Sequence, residues 1–170
     1  IGVAGKQLIL AASDTLLIPG ICLFMTGVLL LIADSSPEGR KLPKDITYKN
    51  SILIGIAQGF STLPGLSRSG TTITACLLCG MDRRFAVKYS FILSIPAVLG
   101  AAVLEIKDVI AEPITAASLG VYFVGMIVSA VVGYICIKTL LIIVRGKNFK
   151  YFSYYCFAAG TLAVAGHFLI

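Results

Sequence analysis

The sequence predicts an all-α integral membrane protein, with four transmembrane helices and one re-entrant helix hairpin at Ser51–Gly80. Three observations point there. Of 170 residues, 58% are hydrophobic and only 13% charged, with a mean hydropathy of +0.96; a soluble domain carries about 25% charge. So short a chain cannot hide that much apolar surface in one core, so lipid is its solvent. Four apolar runs reach the roughly 20 residues that cross a bilayer. A fifth stretch is split into two half-length pieces by PGLSRSG, Pro64–Gly70.

The first run extends from about Leu8 to Ala33, with Asp14 near its outer end. The second spans about Phe85–Leu104, the third Ala116–Val144 and the last Tyr151–Ile170. Small residues recur four apart at Gly125, Ser129 and Gly133, and at Ala97 and Ala101, a spacing that lets helices approach closely in lipid. The chain opens at Ile1 in an apolar pattern, without an initiator Met or signal peptide. It is therefore read as one membrane-embedded domain over residues 1–170, truncated at its N-terminus.

Between the first and second runs, Ser51–Leu63 and Thr71–Gly80 are each about 15–20 Å long as helices, half a membrane. Pro64 and Gly65 break the helix between them. Either the stretch spans with a kink, or it dips in and returns. Lys and Arg decide. A spanning stretch would divide them almost evenly between the two sides. A re-entrant one gathers Asp34–Asn50, Met81–Lys88 and Arg145–Lys150 on one side, ten basic residues against Lys107 alone. The positive-inside rule favours the hairpin, entering from the cytoplasm, with the C-terminus outside. The same clustering of positive charge in short loops argues against nucleic acid as a partner, despite the net charge of +6.

An arginine at membrane depth is costly, about 2.5–3.5 kcal/mol on insertion scales, and marks a functional site. Arg68 has no acidic neighbour in sequence, so an anionic ligand would supply the missing charge; a guanidinium matches phosphate oxygens with two parallel hydrogen bonds. Ser67 and Ser69 add hydroxyls, and Gly70 permits close approach. Thr71 and Thr72 open a half-helix whose free N–H groups and positive dipole end face the loop. The bland alternative is a cytoplasmic turn tipped by Ser-Arg-Ser. Gln58, polar among Ile56, Ala57 and Phe60, either points into the cavity or bonds a neighbouring helix. Cys76 and Cys79 form a CxxC with no completing ligands and are read as ordinary buried thiols. His167 is read as interfacial, and Arg83 and Arg84 as holding topology.

The run Gly55–Ile73, GIAQGFSTLPGLSRSGTTI, resembles the second signature of the bacterial undecaprenyl-diphosphate phosphatases, the bacitracin-resistance proteins. The continuation MDRRFAVKYSFILSIPAVLGA, Met81–Ala101, is similar to that family as well. The resemblance implies an enzyme of the bacterial plasma (inner) membrane whose chain here is the second half of an inverted repeat. It would cleave the terminal phosphate from a polyprenyl diphosphate lipid, recycling the carrier for cell-wall synthesis. Arg68 matches the phosphate-binding arginine, with Ser67, Ser69 and Thr72 beside it. A divalent cation, Mg or Ca, is implied, but the family's Glu-rich segment and Ser-Gly-His loop are absent, so the cation's ligands, the nucleophile and the acid/base are expected upstream of Ile1. The 170-residue piece alone is expected to be inactive, and a homodimer is left open. A transporter or flippase of anionic lipid is the main rival, because broken helices at mid-membrane also bind transported anions. A non-catalytic membrane assembly subunit is a third.

Overall fold

The computed structural model describes residues 15–111, 116–145 and 148–169. All its helices are α except for one short 3₁₀ turn, Pro43–Asp45. In chain order they are α1 (Leu17–Ser35), α2 (Tyr48–Phe60), α3 (Arg68–Leu78), α4 (Arg83–Ala111), α5 (Ala116–Arg145) and α6 (Phe149–Leu169). Four of them, α1, α4, α5 and α6, are long and apolar enough to cross a membrane. The expected first run begins earlier, at Leu8, and that part, with Asp14, lies outside the described residues.

Helix α1 packs against α6 through small residues. A Cβ on Gly20 would meet Val164 at 2.7 Å, and one on Gly27 would meet the Phe157 ring at 2.6 Å. Ser153 Oγ donates to Gly27 O at 2.8 Å, using the same close approach. In lipid such contact replaces the hydrophobic drive that water would provide. The stripe expected to pack on α5 does not do so within the described residues: Gly125 and Gly133 face open space. Helix α5 leans only lightly on α4, and its Val, Ile and Phe side chains are exposed throughout residues 120–135. That much bare apolar surface belongs in a bilayer.

The short helices α2 and α3 lie side by side, joined by the Ser61–Ser67 turn. Thr47 caps α2 by accepting Asn50 N–H. Helix α3 ends in a Schellman turn: Gly80, at φ +80, donates to Leu77 O, and Met81 donates to Cys76 O. The residues before α2 are stitched to those after α3. Lys41 N donates to Gly80 O and Asp82 N donates to Lys41 O, both at 3.1 Å, while Lys41 Nζ reaches Cys79 O at 2.8 Å. Gly39 is required there, since a Cβ would stand 2.3 Å from Met81 O.

The same end of the molecule collects the other basic loops. Arg83 is buried, and its Nη2 donates to the carbonyls of Ala33, Asp34 and Ser36 at the C-terminus of α1. Asp34 Oδ1 accepts Phe149 N–H and so caps α6. The starts of α4 and α6 thus meet the end of α1, and the residues before α2 meet those before α4.

Candidate anion-binding site

The Pro64–Gly70 loop runs along α1. Gly65, at φ +87, lies so close to Pro19 that a Cβ would stand 2.3 Å from its carbonyl oxygen. Both the dihedral and the space demand glycine. Thr26, midway along α1, then takes the loop in hand: its Oγ1 accepts Ser67 N–H at 3.0 Å and lies 3.2 Å from Gly65 O. Ser67 in turn caps α3, its Oγ accepting Gly70 N–H at 3.2 Å.

This capping leaves a defined set of donors. The first intrahelical bond of α3 is Thr71 N to Ser67 O, and Gly70 N is taken by the cap. The N–H groups of Arg68 and Ser69 have no acceptor among the described residues. Arg68 is half-buried, and its Nη1 is wholly buried without a hydrogen-bond partner among them. Two backbone donors and the positive end of a helix dipole therefore meet at one turn, and Arg68 is the first residue of that helix. Burying such donors unpaired is costly. An anion relieves it.

The structure sorts the other expected residues into distinct tasks. Ser67 and Ser69 stand at the turn, and Gly70 is buried beneath it. Thr71 Oγ1 donates back to Ser67 O at 2.8 Å. Thr72, also buried, aims its hydroxyl at Arg68 O (2.9 Å) and Ser69 O (3.2 Å) and bonds Ser90 Oγ of α4. Both threonines thus brace the first turn of α3. Gln58 takes the second of its two readings: its Nε2 donates to Leu93 O at 3.3 Å. Leu93 belongs to α4, so this bond ties the first half of the hairpin to that helix. Gln58 Oε1 stays buried without a partner among the described residues. His167 lies near the far end of α6, against Phe168. Cys76 is buried and Cys79 partly so, both as free thiols.

Thr26 and Ser90 escaped sequence reasoning. The signal was present, since each is a hydroxyl inside an apolar run, but nothing local to either names its partner. No group of three His, Cys, Asp or Glu side chains among the described residues could hold a metal ion. The described residues do not by themselves fit a resident cation.

The family model described as Bacitracin resistance protein BacA matches residues 1–162, a range that includes the loop and the first two-thirds of α6. The chain belongs to the bacitracin-resistance protein family. Curated relatives include an undecaprenyl-diphosphatase of Methanosphaera stadtmanae, 39% identical over 145 residues, covering 85% of this chain and 51% of the relative. That of Alkaliphilus metalliredigens is 36% identical over 164 residues, covering 96% of this chain and 60% of the relative. The Methanothermobacter thermautotrophicus relative is 40% identical over 168 residues, covering 96% of this chain and 91% of the relative. This bacitracin-resistance family member spans a little over half the length of most of the relatives it matches, and is a multi-pass membrane protein.

Proposed function

We propose that this chain supplies the phosphate-binding half of an undecaprenyl-diphosphate phosphatase, which cleaves the terminal phosphate from the lipid diphosphate and returns the monophosphate carrier to cell-wall synthesis. One observation carries the reading: Arg68, with Nη1 buried and unpartnered among the described residues, sits at the first turn of α3 beside two N–H groups that have no acceptor there. The names of the relatives support the substrate. During in-line attack on the terminal phosphorus, negative charge is spread over the equatorial oxygens. A fixed guanidinium and fixed N–H dipoles stabilise that charge without having to reorganise. Ser67 and Ser69 orient the oxygens. The nucleophile and acid/base groups come from sequence upstream of this chain, as would the ligands of any Mg or Ca ion.

We read α2–α3 as re-entrant in the bilayer. In support, the two ends of the hairpin are stitched together at Lys41 and Gly80–Asp82, and its chemistry-bearing turn lies at Thr26, the middle of α1. The gathered basic loops put that fastened end in the cytoplasm and the end of α6 outside.

The test is phosphate release from undecaprenyl diphosphate by the protein purified in detergent with its complete coding sequence. Release is expected. Tight binding of the lipid without release would make the protein a transporter of anionic lipid instead. The 170-residue chain alone is expected to turn over nothing. The Methanothermobacter relative, matched over 91% of its length and bearing the same name, makes that the sharper trial.

A further inference from the structure

At the basic end of the molecule lies a cavity of about 450 Å³, lined by Glu38, Leu42, Asp82, Arg83 and Arg84. It stands where two apolar spans stop, since α1 ends at Ser35 and α4 begins at Arg83. That is the depth of lipid headgroups. The cavity holds charges of both signs that do not satisfy one another. Asp82 makes no ion pair with either arginine. Its Oδ1 accepts Phe85 N–H at 3.0 Å, and its other oxygen has no partner among the described residues. The exposed Arg84 side chain has none among them either. Arg83, only 6% exposed, donates through Nη2 to carbonyls of α1, but its Nε and Nη1 are without partners among the described residues.

We infer that this cavity binds the head of a membrane phospholipid that carries both a phosphate and a primary ammonium, a phosphoethanolamine head. The phosphate meets Arg84 and the remaining donors of Arg83, and the ammonium meets Asp82 and Glu38. Guanidinium and phosphate match in two parallel hydrogen bonds, while a carboxylate accepts the N–H groups of an ammonium. The lining sets two acids against two bases, so a head without net charge suits it. A simple anion would face two carboxylates, and a simple cation two guanidinium groups. A choline head has the right charges but no N–H to donate, and no aromatic ring lines the cavity to hold a quaternary ammonium. At about 30 Å³ for a water-sized group, the space takes roughly fifteen such groups, enough for the head and its glycerol. Leu42, 46% exposed, gives that glycerol an apolar wall. The site is separate from the turn held by Thr26 at mid-α1, and it stands whether or not the protein is a phosphatase.

The test is native mass spectrometry of the delipidated protein with its complete coding sequence. It is offered equal amounts of phosphatidylethanolamine, phosphatidylcholine and phosphatidylglycerol with identical chains. Phosphatidylethanolamine is expected to be retained about tenfold over either competitor, the factor for one charge-assisted hydrogen bond. Arg84→Gln is expected to abolish that excess while leaving the unfolding temperature of the delipidated protein unchanged. Asp82→Asn keeps an oxygen to accept Phe85 N–H and removes only the charge, so the preference is expected to pass to phosphatidylglycerol. Equal retention of the three lipids by the wild type overturns the inference, as does an unchanged order of preference in either variant. Displacement of the lipid by an equal concentration of soluble glycerophosphoethanolamine overturns it too, since the occupant is then a soluble zwitterion and not a membrane lipid.

Discussion

Two arginines of this chain are buried in different ways. Arg83, at the basic end, spends Nη2 on three backbone carbonyls of α1, and so ties the start of α4 to the end of α1. Arg68, at the turn of the hairpin, has an Nη1 without any partner among the described residues. Side-chain type does not distinguish them. Arg83 Nε and Nη1 are, like Arg68 Nη1, buried without a partner among the described residues. What distinguishes the two is that Arg83 is tied through Nη2 to backbone carbonyls, whereas the Arg68 guanidinium makes no hydrogen bond among those residues. One arginine is mortar. The other, in the function proposed above, is a receptor.

The contrast is sharpest under substitution. Arg68→Ala in the complete protein is expected to lower kcat by about 10²–10³, by analogy with loss of one oxyanion donor, and to leave thermal unfolding in detergent nearly unchanged. Near-normal turnover would end its role. Arg83→Met should do the reverse. Removing charge-assisted bonds to buried carbonyls costs about 1.5–3 kcal/mol each at most, so a clear drop in unfolding temperature is expected, with the turnover of the protein that remains folded largely kept. If Arg83→Met silences a fully folded protein, the two arginines do not divide the work in this way.

Smaller effects refine the comparison. Thr26→Val keeps the shape of the side chain but strands Ser67 N–H, at a cost of about 1 kcal/mol. It should raise KM more than it lowers kcat, because the turn loses its anchor on α1. Lys41→Met removes one part-buried bond to Cys79 O while the backbone stitch remains, so a loss of about 1 kcal/mol is expected, visible as a small fall in unfolding temperature. A large loss from Lys41→Met would mean that the side chain, and not Gly39 and the backbone, holds the hairpin's base.

Much of this was legible in the sequence. Hydropathy marks α4, α5 and α6 to within a few residues at most ends, because lipid demands long uninterrupted apolar runs. The half-length pieces around PGLSRSG mark α2 and α3, and the crowding of Lys and Arg predicts which loops share an end. The partners were not legible. Nothing local to Thr26 says that it meets Ser67, forty-one residues on, and nothing local to Thr72 says that it meets Ser90. Gln58 stayed open between two roles because the carbonyl it serves, Leu93 O, lies thirty-five residues away on another helix. The Gly125–Gly133 stripe misled for a related reason: the spacing permits close packing but does not supply a neighbour.

Thr26 stands nine residues from either end of α1, about 13 Å at 1.5 Å per residue, and it marks the level of Ser67 and the proposed phosphate turn. In an energised membrane, a ligand that reaches that level has crossed about half of the electrical drop. For two negative charges at 100 mV this amounts to about 2.3 kcal/mol, a factor of roughly 50 in affinity. The voltage would weaken binding to a site filled from outside and strengthen binding to one filled from the cytoplasm. Substrate affinity in proteoliposomes held at opposite potentials therefore reports, through its sign alone, the face to which the turn opens.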